Sequence, residues 1–296
     1  MTGCMSTEKS SQASASMTLF GVEGSNQPPW GAYRPGALAS LAILASRHTP
    51  LGRGSGRRAL FKLLEATHQG PVDVRVNGCP MRLYPTKNVS ERKALLRPDR
   101  HDPVEKSMLR RAMSKLASIF VDIGANAGIY SLEAAIAAGE GSRIIAVEPN
   151  TELIARLKFN EQLARSEGLI APTTSIEIYS GAISDRDGEA FLAEAGAEGS
   201  RYLSDHAGVP VPTKTLLSLA GDFGLERITA LKIDIEGHED RALVPFFAAA
   251  DDKLLPNLII MEHGSSHLWQ TDCVSVCEAR GYRVSTRTRN NVILTL

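Results

Sequence analysis

No net charge is left when the 33 Lys and Arg of this chain are set against its 33 Asp and Glu, so its bulk electrostatics give no pull toward nucleic acid. Cysteine is scarce as well. Cys4, Cys79, Cys273 and Cys277 make no disulfide framework, which fits a reducing compartment, and we expect a cytoplasmic protein. Cys273 and Cys277 share a helical segment, but no second pair or His cluster completes a zinc site, so no metal is expected. Long hydrophobic runs are missing too: residues 37–45 fall well short of the roughly 20 apolar residues that cross a bilayer. The Ser/Thr-rich start, residues 1–16, has no apolar centre of the kind a secretory signal needs. Without such a signal the sequon Asn88-Val89-Ser90 carries no meaning. No internal repeat is visible.

What is present is an ordinary globular composition, 43% hydrophobic and 22% charged, in a chain long enough for one large domain or one domain with an N-terminal extension. Residues 1–35 are rich in Ser, Gly and Pro and read as poorly ordered. Residues 36–116 read as an N-terminal extension of helices and a hairpin. Helices are expected over 37–47 and 60–68, separated by a Gly/Arg loop at 52–58 whose Arg53, Arg57 and Arg58 we take as a solvated basic run. Residues 72–76 alternate apolar and polar, Asn77-Gly78 is a hairpin turn, and 81–84 return. This hairpin is expected to cover the edge or mouth of the main domain. Residues 105–116 read as a helix.

Residues 117–296 alternate strand and helix, the pattern of a doubly wound, mostly parallel α/β sheet. Strands are expected at 119–123, 143–147, 176–179, 230–235 and 258–261. Helices are expected at 129–138, 152–167, 215–222 and 271–280. Two short strands, 283–286 and 292–295, complete seven, the last as an antiparallel insertion. Residues 185–203 break the alternation. There, 190–192 and 201–203 are expected to pair beside a loop, and insertions of this sort build or cover substrate pockets.

Asp122-Ile123-Gly124-Ala125-Asn126-Ala127-Gly128 follows the apolar run Ile119-Phe120-Val121 and precedes an Ala-rich helical segment. Strand, tight glycine loop and helix in that order form a nucleotide-cofactor site, because glycine lets the backbone approach a ligand closely. The next strand ends in Val147-Glu148-Pro149-Asn150, with its acid 20 residues past Gly128 and placed to accept hydrogen bonds from a ribose diol. The loop reads G-x-N-x-G, so the pyrophosphate fingerprint of a dinucleotide site is incomplete. Asp122, two residues before the first glycine, would repel a pyrophosphate and suit an ammonium group. S-adenosylmethionine (SAM) fits: it has a free ribose diol, a sulfonium and an amino-acid tail, and no phosphate. The competing readings are an NAD-dependent oxidoreductase and a non-catalytic SAM-binding module. A glycine-rich turn in an empty α/β domain leaves the agreement of loop, Asp122 and Glu148 unexplained.

The second unusual segment is Leu231-Lys232-Ile233-Asp234-Ile235-Glu236-Gly237-His238-Glu239. Alternation places Leu231, Ile233 and Ile235 on one face of a strand and Lys232, Asp234 and Glu236 on the other. Charges at the end of a central strand are costly unless paired or functional. In open α/β sheets ligands bind beyond the carboxyl ends of the strands, where this segment would meet a methyl acceptor. Asp234 or Glu236 can orient or deprotonate an acceptor hydroxyl, and Lys232 can hold a carboxylate or keep the acids ionised. A purely structural Lys–carboxylate network is the alternative, and a divalent-cation site lacks a third ligand. His263, after the next strand, is placed as a general base, while His101, His206 and His267 fall in loops without a visible partner.

The segments Phe120 to Gly128, Val147-Glu148-Pro149 and Leu231 to Glu239 together resemble the FkbM family of SAM-dependent methyltransferases. The first two resemble most class I methyltransferases; the Lys-x-Asp-x-Glu-Gly pattern is the specific one. The resemblance covers roughly residues 72–296 and implies a Rossmann-like class I fold. It implies O-methylation of a hydroxyl on a sugar, glycan, glycolipid or secondary metabolite. It also implies that Asp122, Gly124, Ala125 and Asn126 line the methionine end of SAM, that Glu148 holds the ribose, and that Ala182 and Ile183 lie near the adenine. Gly128 and Pro149 complete the cofactor-binding set. Lys232, Asp234, Glu236 and His263 are the candidate catalytic residues. No Asn/Asp-Pro-Pro-aromatic motif for base amines is present, so a nucleic-acid acceptor is not expected.

Overall fold

The computed structural model of the chain describes residues 27–195, 200–204 and 208–296. Helices α1 (Ala37–His48) and α2 (Gly54–Thr67) open the fold as a hairpin. The second begins six residues before the sequence reading places it, within the segment read as a Gly/Arg loop. The glycines are there for closeness rather than for a loop. A Cβ on Gly52 would lie 1.9 Å from the Ser46 carbonyl oxygen, and one on Gly56 2.5 Å from that of Leu51. Strands β1 (Val72–Val76) and β2 (Cys79–Leu83) pair antiparallel around Asn77 and Gly78, both at positive φ, as a two-residue hairpin turn requires. Helices α3 (Val89–Leu96) and α4 (Pro103–Met113) follow. The first of these was not foreseen; Asn88 caps it by accepting from the Glu91 amide at 3.0 Å.

A buried ion pair ties the start of the described chain to this hairpin. Arg82 Nε donates to Asp73 Oδ1 at 2.7 Å, and Asp73 Oδ2 accepts from the amides of Gly31 and Tyr33. Arg82 also donates to the carbonyls of Pro28 and Pro29. Residues 28–33 are therefore anchored, in contrast to the poor order expected over 1–35; residues 1–26 of that stretch lie outside the described residues.

The main sheet is built from β3 (Ile119–Ile123), β4 (Arg143–Val147), β5 (Ser175–Tyr179), β10 (Ala230–Ile233), β11 (Leu258–Glu262), β12 (Arg283–Arg287) and β13 (Asn291–Thr295). Its order is β12-β13-β11-β10-β3-β4-β5. Five neighbouring strands are parallel, and β13 runs antiparallel to both β11 and β12. Helices α5 (Ile129–Ala137), α6 (Thr151–Ser166), α7 (Leu216–Asp222), α8 (Glu239–Ala249) and α9 (Cys273–Ala279) connect them. Asn150 caps α6, and Gly168 follows it at positive φ. Between β5 and α7 a smaller sheet is inserted: β6 (Ala182–Ile183), β7 (Gly188–Ala195), β8 (Ser200–Ser204) and β9 (Val209–Lys214), in the order β6-β9-β7-β8. The expected pairing of 190–192 with 201–203 is found, with Leu192 opposite Leu203. Strand β9 is additional, and loop residues 196–199 lie outside the described residues.

Each face of the sheet buries its own apolar cluster. Val121, Ile123, Ile145, Leu231 and Ile233 pack with α7 and α8 on one side. On the other, Phe120, Ile144, Ala230 and Ile260 share a core with Leu83, Leu95, Leu109 and Met113 of the N-terminal layer. The hairpin, expected at the edge or mouth of the main domain, packs on a helix instead. It lies on α6, where Asn160 accepts from the Arg82 amide at 2.7 Å and donates to its carbonyl. Beside it Arg156 of α6 pairs with buried Glu91 of α3 at 2.7 Å. The three described cysteines are buried and free, and burial raises the thiols of Cys79 and Cys277 to about 11 and about 12.

Candidate active site

The chain leaves β3 outward to β4 and β5 and returns to β10 on the other side, so a switch point lies beyond the carboxyl ends of β3 and β10. The glycine loop crosses that point. Gly124 (φ +75°) allows the two strand ends to touch: a Cβ there would sit 2.0 Å from the Asp234 carbonyl oxygen. The amides of Gly124 and Ala125 both donate to the Val147 carbonyl, at 3.0 and 2.9 Å, which folds the loop over the end of β4. Asn126 holds a left-handed conformation (φ 54°). Its side-chain oxygen accepts from the Ala127 amide and from Asn88 Nδ2, both at 2.7 Å. The asparagine of the sequon thus supports the loop. Gly128 does not border the cavity; a Cβ on it would lie 2.5 Å from Leu157 Cγ, so it lets α5 start hard against α6.

Beyond the loop is a cavity of about 370 Å³, within the range of small-molecule sites. Ten of the expected site residues border it: Gly124, Ala125, Asn126, Glu148, Pro149, Ala182, Ile183, Lys232, Asp234 and Glu236. Leu192 of the inserted sheet adds an apolar wall. Glu148 is almost fully buried, and its two oxygens accept from the amides of Asn126 (2.8 Å) and Asn150 (2.9 Å). Each oxygen keeps a lone pair for a ligand. Burial lifts this carboxyl to about 7 against those two hydrogen bonds.

Asp122 does not line the cavity, contrary to expectation. The β3–β10 register sets it opposite Lys232, both facing α5. It is fully buried and accepts from Ser131 Oγ at 2.6 Å. Its other oxygen has no hydrogen bond and faces Lys232 Nζ at 3.8 Å. Lys232 Nζ also lies 3.4 Å from Asp234 and 5.1 Å from the centroid of the Tyr130 ring. Burial works against the ammonium, but Asp234 and Asp122 outweigh it and raise its pKa. Burial raises the Asp122 carboxyl, and Lys232 opposes that rise. Asp122 therefore acts on the cavity from behind, by holding Lys232 and by its repulsion of Glu148.

Strand β10 ends at Ile233, two residues earlier than expected; the Asp234 amide still donates to the Ile123 carbonyl at 3.1 Å, and Glu236 stands on the turn that follows. Glu236 has φ +56°, a conformation that costs a non-glycine residue about 1–3 kcal/mol and persists where the surroundings enforce it. Glu239 enforces it here. Its Oε1 accepts from the Ile235 amide at 2.9 Å and its Oε2 from Trp269 Nε1 at 2.7 Å. Glu262 also reaches the cavity, from the end of β11. Burial, then repulsion from Asp234, raises the carboxyls of both Glu236 and Glu262. His263 is not among the cavity residues. It follows Glu262 and borders a separate hollow with Ser266, Trp269 and Asp272, as alternation past the strand end would place it.

Sequence reasoning missed a buried cluster beside Lys232. His101, read as a loop residue without partners, borders the cavity. Its Nδ1 is 3.4 Å from Lys106 Nζ and its Nε2 3.4 Å from Asp102 Oδ2. Burial and the nearby lysines push its pKa down to about 2, so it stays neutral. Tyr130 donates to Asp102 Oδ2 at 3.0 Å, and Asp102 itself holds φ 52°. Only the place of Tyr130, just past the glycine loop, hinted at this. His206 lies outside the described residues. No group of three or more His, Cys, Asp or Glu suited to a metal is found among the described residues.

Comparison with known proteins follows the same lines. The sequence profile of the FkbM methyltransferase domain matches residues 122–284, more than half of the chain. No curated protein matches it. Among solved structures the chain is similar to a SAM-dependent methyltransferase from Agrobacterium tumefaciens, at 13% identity over 76% of this chain and 69% of that one, with a TM-score of 0.43. A methyltransferase from Geobacter sulfurreducens gives 16%, 66%, 77% and 0.39 for the same quantities. A precorrin-6Y C5,15-methyltransferase from Geobacter metallireducens gives 15%, 64%, 84% and 0.35. With the profile spanning the glycine loop, Glu148 and the turn after β10, the chain belongs to the FkbM family of methyltransferases.

Proposed function

We propose that this methyltransferase uses SAM and methylates a hydroxyl of a sugar, glycan, glycolipid or secondary metabolite. One observation carries the reading: a single cavity holds a ribose-type acceptor, Glu148, on one side of β3 and the carboxylates Asp234, Glu236 and Glu262 on the other. SAM supplies an electrophilic methyl group on a sulfonium. The chain's residues fit such a ligand. Glu148 holds the ribose diol, Ala182, Ile183 and Leu192 offer the adenine an apolar wall, and Gly124 to Asn126 shape the floor. Asp234 and Glu236 orient the acceptor hydroxyl and take its proton, while Lys232 donates to Asp234 and holds its carboxylate in place. Lys87, Lys93, Asn290 and Asn291 give the wall further hydrogen-bonding groups, as a polyhydroxylated acceptor needs. Residues 117–296 act as the catalytic domain and 36–116 as its covering layer. The scarcity of cysteine supports a reducing compartment, the cytoplasm.

Calorimetric titration with SAM, S-adenosylhomocysteine and NAD tests the cofactor. Binding of the first two without NAD is expected; NAD binding alone would overturn the reading. Glu148→Ala weakens SAM binding by about 1–3 kcal/mol, the value of unmade ribose hydrogen bonds, and unchanged affinity removes Glu148 from the site. The ionised carboxylate is the ribose acceptor, and it gains its proton as pH falls through about 7. SAM affinity should therefore drop below neutral pH, by at most about tenfold per unit, and Glu148→Ala should flatten that dependence. Asp234→Asn should slow turnover about a hundredfold while SAM affinity barely moves. Intact turnover on a genuine acceptor would end the catalytic assignment of Asp234.

A further inference from the structure

The α1–α2 hairpin carries chemistry that the cavity does not use. From residue 27 to residue 67 the chain has six Arg or Lys against a single acid, Glu65, although the whole chain is neutral. On α1, Leu38, Leu41 and Leu44 follow one another at helical spacing and are 58%, 60% and 54% exposed. Leu51, at the turn into α2, is 59% exposed. The buried residues of α1, including Ala39, Ala42 and Ile43, occupy its opposite face, so the outward leucines have no role in the core.

Arginines gather beside this stripe. Arg53, Arg57 and Arg58 are exposed at the start of α2. Arg97, at the end of α3, has its guanidinium held below the ordinary value by burial and then by the charges of Arg100, Arg57 and Arg53. Residues distant in sequence have thus been brought into one like-charged cluster, which repels itself unless an anion lies against it. Asp99 acts on Arg47, at the end of α1, and not on this cluster. Farther back along α3, Lys93 borders the cavity, and Lys87 precedes it, so the basic surface continues from the arginines to the site.

We propose that the α1–α2 hairpin docks this protein on an anionic lipid surface, with the leucines entering the acyl boundary and the arginines meeting headgroup phosphates. Leucine stripes flanked by basic residues bind in this way, and each basic residue near an anionic leaflet adds about fivefold to partitioning. Nucleic acid would use the arginines but not the leucines. A second copy packed on the same face would set arginine against arginine. The docking stands independently of the acceptor's identity. It brings the cavity within reach of hydroxyls carried on lipid.

Co-sedimentation of the full chain with vesicles tests this, using phosphatidylcholine alone and an equal mixture with phosphatidylglycerol. Partition onto the mixed vesicles is expected to be at least about tenfold stronger and to weaken as salt rises. Two variants separate the contributions: Arg53→Glu with Arg57→Glu, and Leu38→Ser with Leu41→Ser and Leu44→Ser. Each should lose most of the partition while keeping the parent's melting temperature and SAM affinity. Equal partition on both vesicles, no partition at all, or variants that bind like the parent would overturn the proposal. So would duplex DNA competing the protein off the vesicles while the leucine variant binds normally.

Discussion

Lys232→Met should destabilise the fold by about 3–5 kcal/mol, the range for breaking a buried pair from one side. Lys232 and Asp122 are ladder neighbours on the helix-covered face of the sheet, and Asp122 is fully buried. Without the ammonium, one Asp122 oxygen keeps Ser131 and the other has nothing. The carboxyl then escapes by taking a proton, which gives the variant a pH signature. Its folded pKa rises further above the unfolded one, so between the two the native state holds more protons than the unfolded state. Stability in that window falls as pH rises, and the gap between variant and parent widens toward alkaline pH. Urea unfolding at several pH values measures this. Adding Asp122→Asn should recover most of the loss, because the orphaned charge is gone. A Lys232→Met protein as stable as its parent would show that the pair is not holding the sheet.

Gly124→Ala should cost about 3 kcal/mol or more, from two sources. The backbone is at φ +75°, and the new methyl would meet a carbonyl oxygen of the neighbouring strand end at 2.0 Å. That oxygen belongs to Asp234 and cannot turn away without moving the turn that carries Glu236. Gly141→Ala separates the two sources: it has φ +72° with nothing within 4 Å, so it carries the conformational cost alone, about 1–2 kcal/mol. Gly124→Ala should unfold at lower denaturant than Gly141→Ala and bind SAM more weakly. Equal midpoints would mean that the loop yields to the methyl group and that the contact with Asp234 is loose.

The main sheet was legible because its strands are short, apolar and separated by well-signalled helices. Even the reversed last strand could be placed from its position. Local signals failed where tertiary closeness decides. The glycines at 52 and 56 look like a loop, yet they mark a helix packed against a turn. The charges of Lys232 and Asp122 were seen, but their pairing follows from inter-strand register, which a single strand does not reveal. Alternation placed Asp234 beside Lys232 as found, but it was extended to Glu236, where the backbone has turned, and so misjudged the platform under Glu236. His101 lies in a segment without periodicity, and apart from the place of Tyr130 nothing in the sequence announced that Lys106 and Asp102 would flank it, with Tyr130 bound to Asp102.

The contact between Glu105 and the last hairpin bears on the order of synthesis. Glu105 Oε1 accepts from Asn291 Nδ2 at 2.9 Å across 186 positions of sequence, and Asn291 itself borders the cavity. The wall made by residues 87–102 is translated well before the wall it faces, which includes Asn291. A nascent chain can close its glycine loop and its first strands yet still lack one side of the site. Such long-range closure slows folding, and a chain that stops short of Asn291 lacks part of the cavity wall.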